Sequence, residues 1–423
     1  MARYGYRIGP LVPALQMKKD FKALLILFLA AMAWLNLLLA WNSRDLLHKG
    51  YQDFTIFYSA ATIVRQGLGH QLYDDTTQYR IQQGFAAAAN IRKGYLPYNH
   101  PPFEVLIFLP FSFLPYFVAY LLWDLVSLLI LLLLLVLLRP SISVLPQVSI
   151  GHWLLASLGF FPTFFALLQG QDSILLLLIF TLVFIFLKRE REFAAGCCLG
   201  LGLFRFHLVL PLMLVFVLEK RKKAFIGFIL VAFILALISL AIVGAEASWN
   251  YPGSVWRMEQ MMERTGTVVP SGMPNLHGLF DSLFAPLISR SFSDALLALI
   301  SLALVVFTAF LSKPATATTF NLGFSLCVIV TIVVSYHTFT SDLSLLMLPT
   351  VLVADHLEAG RGNRGWMRVA LLGPVLLLFL TPLHMFLAFY AHRYSLMAVV
   401  LLFWLGAVAR EIASQTATSV AGQ

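Results

Sequence analysis

Residues 116–138 read YFVAYLLWDLVSLLILLLLLVLL, and the run closes on Arg139. It lacks the apolar-polar alternation of a barrel strand, and at 1.5 Å per residue a helix of this length crosses a hydrocarbon layer of about 30 Å. Backbone polar groups inside lipid must be satisfied within the segment, so the stretch predicts a transmembrane helix. Comparable runs recur from Phe21 to Arg410. The whole chain has the same character: 60% of its 423 residues are hydrophobic and 12% charged, with a mean hydropathy of +0.85. Ordinary globular chains are about a quarter charged. Apolar runs this continuous, without polar linkers, predict one all-α polytopic integral membrane domain over residues 1–423.

The formal charge of +9 would suggest nucleic acid in a soluble protein. In a membrane protein it reports topology instead, through its distribution between loops, and no nucleic-acid partner is expected. Arg3, Arg7, Lys18, Lys19 and Lys22 place the amino terminus in the cytoplasm, so the first span runs outward to about Trp41. Arg139, the cluster Lys188, Arg189 and Arg191, the cluster Lys220 to Lys223, then Lys313, Arg361, Arg364, Arg368 and Arg410 mark further cytoplasmic ends. The result is about 12 spans, several of them short, with both termini inside and external loops at about 42–115 and 245–293. Too few residues separate the clusters at 188 and 220 for two full spans, yet one span would break the charge rule. Two short helices turning at Phe204-Arg205-Phe206-His207 are preferred. Apolar stretches from Pro102 to Pro110 and Leu276 to Ile288 predict interfacial helices. Cys197, Cys198 and Cys327 lie in apolar runs without a metal-binding or disulfide spacing.

Most non-basic polar residues fall in the two external loops, so function faces outward. Asp53 follows Lys49-Gly50-Tyr51-Gln52 and precedes an amphipathic stretch, Thr55 to Arg65. It can serve as a general base at the membrane surface or as the cap of the helix that follows. Arg205 and His207 stand in an apolar neighbourhood, where a cation is costly unless it meets an anion such as a lipid phosphate. Alternatively Arg205 snorkels and His207 bonds a backbone carbonyl. Gln169 and Gln171, beside Asp172, form an outward turn able to hydrogen-bond sugar hydroxyls. His337 and Asp342 flank another such turn, and Asn275 and His277 precede an interfacial helix; plain loop polarity accounts for these equally well. No Walker loop, dinucleotide fingerprint, Ser-His-acid order or zinc spacing is present.

In order along the chain, Asp53-Phe54 with Tyr58 and Ala60-Ala61, Gly67, Leu72-Tyr73, Pro101-Pro102-Phe103 and Pro110 make the first part of a pattern. Gln169-Gly170-Gln171, the Gly196 to Pro211 stretch and Pro274-Asn275-Leu276-His277-Gly278-Leu279 complete it. Together they resemble glycosyltransferase family 87, membrane enzymes of the GT-C fold. The resemblance implies transfer of a hexose, mannose in the first instance, from a polyprenyl-phosphate sugar to a lipid-linked or glycan acceptor, with inversion. It implies Asp53 as the catalytic base, Arg205 and His207 at the donor phosphate, and Gln169, Gln171, Asn275, His277 and His337 at the sugar or acceptor. It implies no metal and no cofactor beyond the donor substrate. The setting would be the plasma or inner membrane, active site on the extracytoplasmic side, with membrane lipid, the polyprenyl-phosphate donor and a glycan or glycolipid as partners. Two departures stand out: Arg205-Phe206-His207 replaces a lysine followed by proline, and Asn275-Leu276-His277 replaces Asn-Gln-Ser. The competing readings are a transporter or flippase of lipid-linked saccharides, which should show corresponding interrupted helices, and a non-catalytic scaffold.

Overall fold

The computed structural model describes residues 12–264, 269–284, 287–313, 319–359 and 365–421. Arg3, Arg7, Arg361 and Arg364, used above to orient the chain, lie outside the described residues. Among those described, the chain is helical and holds no strand, as the patterning required. Six stretches are long and apolar enough to cross a membrane: Lys22–Arg65, Tyr116–Leu138, Glu192–Leu218, Lys222–Met258, Arg290–Ser312 and Tyr394–Ala417. Two helix pairs bent by 78° and 67°, within Ile150–Gln169 and Gly365–Tyr390, bring the number to eight if each is one span. Pro102–Phe113, Ser173–Lys188 and Phe320–Val334 are shorter apolar helices. The polytopic all-α expectation holds, whereas about twelve spans exceeds what length and composition support.

The first helix does not stop at Trp41 but continues to Lys49, because no breaker intervenes before Gly50. The helix from Lys222 does not give way to a loop at Glu246 either. It runs to Arg264 across a kink at Gly244, whose φ of 82° is open to glycine and strained for other residues. The segment Glu192–Leu218 passes as one apolar length, but a straight helix would set its ends about 40 Å apart. Arg221 Nη1 nevertheless lies 3.0 Å from Glu192 Oε1. The chain therefore doubles back at the 3-10 turn Gly202–Arg205, between helices Glu192–Leu201 and Phe206–Leu218. This is the hairpin the two basic clusters predicted.

Lipid-facing positions keep large apolar side chains exposed, among them Leu129, Phe233 and Phe403. One large apolar cluster fills the bundle. A second, of Phe54, Phe57, Tyr58, Phe108, Tyr116, Tyr120, Trp123 and neighbours, clamps helix Phe54–Arg65 onto the head of Tyr116–Leu138. Within it the Phe57 and Phe108 rings stack at 4.4 Å. Aromatic packing of this kind fixes the start of helix Phe54–Arg65, and with it Asp53.

Polar ties collect at both ends of the bundle. At one end Lys188 Nζ donates to Ser141 O at 2.7 Å and to Asn321 Oδ1 at 3.2 Å. Asn321 in turn donates to Asp355 at 2.9 Å, and Ser312 to Glu219 at 2.6 Å. His356 meets Glu411 at 2.9 Å, and the Arg410 guanidinium lies over the Trp366 ring. This is the end where the basic residues concentrate. The opposite end gathers Asp53, Gln169 to Asp172, Arg205 and Ser335 to Asp342 around a cavity.

Candidate functional site

Asp53 stands at the N-cap position of helix Phe54–Arg65, yet its side chain makes no capping hydrogen bond. Its Oδ2 instead accepts from Gln171 Nε2 at 2.6 Å, and its backbone N–H donates to Gln169 Oε1 at 3.2 Å. The capping reading is therefore set aside. Gln169 is the last residue of helix Phe161–Gln169, which Gly170 terminates in the left-handed region at φ 61°, and Gln171 follows that turn. A Cβ at Gly170 would stand 2.7 Å from the Cβ of Phe54. Glycine there thus serves twice, for the turn and for the close approach that brings Gln171 to Asp53.

Arg205 closes the hairpin turn and is buried. Its Nε donates to Asp172 Oδ1 at 2.7 Å, a second guanidinium nitrogen donates to Gln171 Oε1, and Nη1 lies 3.6 Å from Asp342 Oδ1. It neither snorkels nor stands alone: two carboxylates offset its charge, as burial of a cation demands. Gln171 joins this group to Asp53, its amide nitrogen on one and its amide oxygen on the other. Asp342 is held by the Phe339 backbone N–H at 2.8 Å and the Ser173 hydroxyl at 3.3 Å. His207, one residue past Phe206, sets its ring centroid 5.9 Å from those of both Tyr336 and His337. The His207 Nε2 is buried and, among the described residues, has no hydrogen-bond partner.

These groups share one cavity of about 440 Å³. Asp53, Gln169, Gln171, Arg205, His207 and His337 all line it, together with Tyr51, His100, Tyr336 and Phe339. Six of the eight residues nominated from the sequence thus meet. Asn275 and His277 do not line it. Asn275 is fully buried and spends its amide on Ser335 O at 2.6 Å and on the Gly278 N–H at 2.8 Å, which anchors helix Leu276–Phe284. His277 Nδ1 pairs with the Tyr336 backbone carbonyl at 2.7 Å.

The sequence reading passed over His100 and Glu104. His100 Nδ1 lies 3.0 Å from Glu104 Oε2, with the Tyr98 hydroxyl 3.1 Å from the same oxygen. Burial, reinforced by the Arg205 charge, pushes the His100 imidazole down to about 3, so it is neutral at neutral pH and can donate to Glu104. A signal was present: Glu104 is an acid at the head of an otherwise apolar run, and charges in such places are rarely idle.

Chemically, the cavity offers a carboxylate braced by an amide, a guanidinium held in a fixed orientation, three histidines and an aromatic rim. Apolar walls with a few convergent polar groups are the usual form of a small-molecule site. A model of glycosyltransferase family 87 matches residues 98–336, more than half of the chain. No curated protein and no solved structure matches it. The matched span includes Gln169, Gln171, Arg205, His207, Asn275 and His277, stops one residue short of His337, and begins after Asp53. A match of that extent, on a helical membrane protein whose polar residues converge on one cavity, makes this chain a member of glycosyltransferase family 87 and a membrane glycosyltransferase.

Proposed function

We propose that the chain transfers a hexose, mannose in the first instance, from a polyprenyl-phosphate sugar to a hydroxyl of a glycan or glycolipid acceptor. The reaction takes place at the bundle end opposite the basic residues. Basic loops favour the cytoplasm, so that end faces the extracytoplasmic side of the cell membrane. One observation carries the reading: Asp53 leaves its own helix uncapped and faces the cavity, held by Gln171.

A sugar on a polyprenyl phosphate is already activated, since the phosphate departs as a stable anion. The acceptor oxygen attacks the anomeric carbon from the face opposite the phosphate, and the new C–O bond forms as the old one breaks. The bonding pair leaves with the phosphate oxygen, while Asp53 takes the acceptor proton. An ordinary Asp is a far weaker base than an alkoxide, so the proton moves late, once bond formation has acidified the hydroxyl. Displacement with a single base gives inversion; retention would need a second carboxylate acting as nucleophile. Arg205 and His207 form the phosphate side. Arg205 contributes a fixed guanidinium, and His207 contributes an Nε2 that has no protein partner among the described residues. Gln171 positions the base, and Gln169 and His337 complete the wall toward the sugar or acceptor.

The decisive test supplies purified protein with a panel of polyprenyl-phosphate sugars and acceptors, then measures lipid and glycan products by mass. Wild type should form one glycoside and Asp53→Asn almost none; equal turnover by the variant removes Asp53 as base. The transport reading draws on one feature, the two bent helix pairs, which pack together through Phe160 with Phe379 and Phe161 with His384. Movement of intact donor across a sealed vesicle, without product, would favour it.

A further inference from the structure

Behind the His100 edge of the cavity lies a second cluster. His100, Glu104 and Asp172 each offer a ligand atom, and these atoms lie within 4.8 Å of one another. Glu104 and Asp172 are completely buried. Each has one committed oxygen: Glu104 Oε2 faces His100 and Tyr98, and Asp172 Oδ1 takes the Arg205 guanidinium. The other oxygens, Glu104 Oε1 and Asp172 Oδ2, are buried and meet no N–H or hydroxyl donor among the described residues; the two carboxyl groups instead lie against each other, a contact that a shared proton or a bound cation must bridge. A buried carboxylate oxygen with no donor is costly to leave so, and here two of them sit in one cluster.

Charge points the same way. Asp172 and Asp342 meet Arg205 directly, Asp53 meets it through Gln171, and Glu104 is within electrostatic reach of it. Arg92, stacked over Tyr51 at 4.8 Å, adds a cation on the Asp53 side. The four carboxyl groups outnumber the two guanidiniums. An imidazole and two carboxylates make a mixed nitrogen and oxygen donor set, suited to a borderline divalent ion such as Mn²⁺ or Zn²⁺.

We infer that His100, Glu104 and Asp172 form a binding site for a divalent transition-metal cation beside the sugar cavity, although the sequence suggested no metal. Glu104 Oε1 and Asp172 Oδ2 supply the oxygen ligands and His100 the nitrogen. Arg205 and Tyr98 orient the carboxylates from behind. Cation binding is a property of this cluster and stands apart from the transfer reaction.

The test is direct binding of Mn²⁺ alone to chelator-treated full-length protein in lipid nanodiscs, followed by electron paramagnetic resonance of the free ion and by Zn²⁺ competition. Wild type should take up one Mn²⁺ per chain, displaced by Zn²⁺. Glu104→Gln and His100→Gln should each weaken binding by about tenfold or more while unfolding at the wild-type temperature. If either variant does not fold, the other decides. Absence of stoichiometric uptake at millimolar Mn²⁺, as a proton shared between the two carboxyls would give, overturns the site. So does uptake that a folded variant leaves unchanged.

Discussion

The two ends of the bundle contain similar side chains in opposite conditions. At the basic end Asp355 accepts from the Ser143 backbone N–H at 2.6 Å, the Ser143 hydroxyl at 2.5 Å, the Val144 N–H at 3.3 Å and Asn321 at 2.9 Å. Glu219 there is equally engaged, one oxygen on Ser312 and the other on Arg221. At the cavity end Glu104 Oε1, Asp172 Oδ2 and His207 Nε2 are buried and meet no N–H or hydroxyl donor among the described residues. Saturated polar groups tie loops together and stabilise the fold; incompletely satisfied ones, beside a cavity, are held ready for something that is not part of the chain. Burial and charge alone do not distinguish the two ends. Among the carboxylates compared, the number of N–H and hydroxyl donors that each meets does.

The sharpest way to break this contrast is Asp53→Asn. Loss of a positioned general base should lower the transfer rate by about 10²–10⁴-fold, with the unfolding temperature unchanged. A large drop in unfolding temperature would instead make Asp53 structural, like Asp355. Next comes Arg205→Lys, which keeps the charge but not the planar fork that reaches Asp172 and Gln171 together. A rate loss of about 10–100-fold is expected, mainly in kcat, because Gln171 then no longer holds Asp53 in place. If only KM rises, Arg205 acts on the donor alone.

Asp355→Ala makes the complementary test at the basic end. It strips partners from Ser143 and Asn321 and should destabilise the protein by about 1–3 kcal/mol in thermal or denaturant unfolding. Transfer per folded molecule should hold at the wild-type value; a selective loss of activity would erase the contrast between the ends. Asn275→Ala should behave likewise, costing about 1–2 kcal/mol of stability through the lost anchor of helix Leu276–Phe284. The smallest effect belongs to His277→Ala, whose imidazole pairs with the Tyr336 backbone carbonyl and does not line the cavity. Its kinetics should stay at wild type, and a marked KM change would bring His277 back to the acceptor side.

The hairpin at Arg205 was legible because two basic clusters stood too close together for the charge rule to permit a single span. The Gln169-Gly170-Gln171 turn was legible because glycine between two apolar helices marks a reversal. The continuation of the first helix to Lys49 was not: polar residues after Trp41 read as loop, although they carry no helix breaker before Gly50. The helical course beyond Gly244 was missed for a related reason, since a glycine reads as an end until the following turns are seen to resume. Asn275 and His277 were nominated beside residues that do line the cavity. Their exclusion depends on which way helix Leu276–Phe284 rolls, and that is set by contacts with Ser335 and Tyr336, some 60 positions along the chain.

Sequence by itself determined that this protein lives in a membrane, that it is helical, and which end of each helix is basic. These follow from the cost of unpaired backbone groups and bare charges in hydrocarbon, which every residue meets locally. Tertiary structure alone decided which polar residues are spent on each other and which are left open. Asp53 and Gln171 are 118 positions apart, and Asp172 and Arg205 33 apart. No local propensity encodes such pairings; they exist because aromatic packing around Phe54 and the turn at Gly202–Arg205 deliver both partners to the same wall.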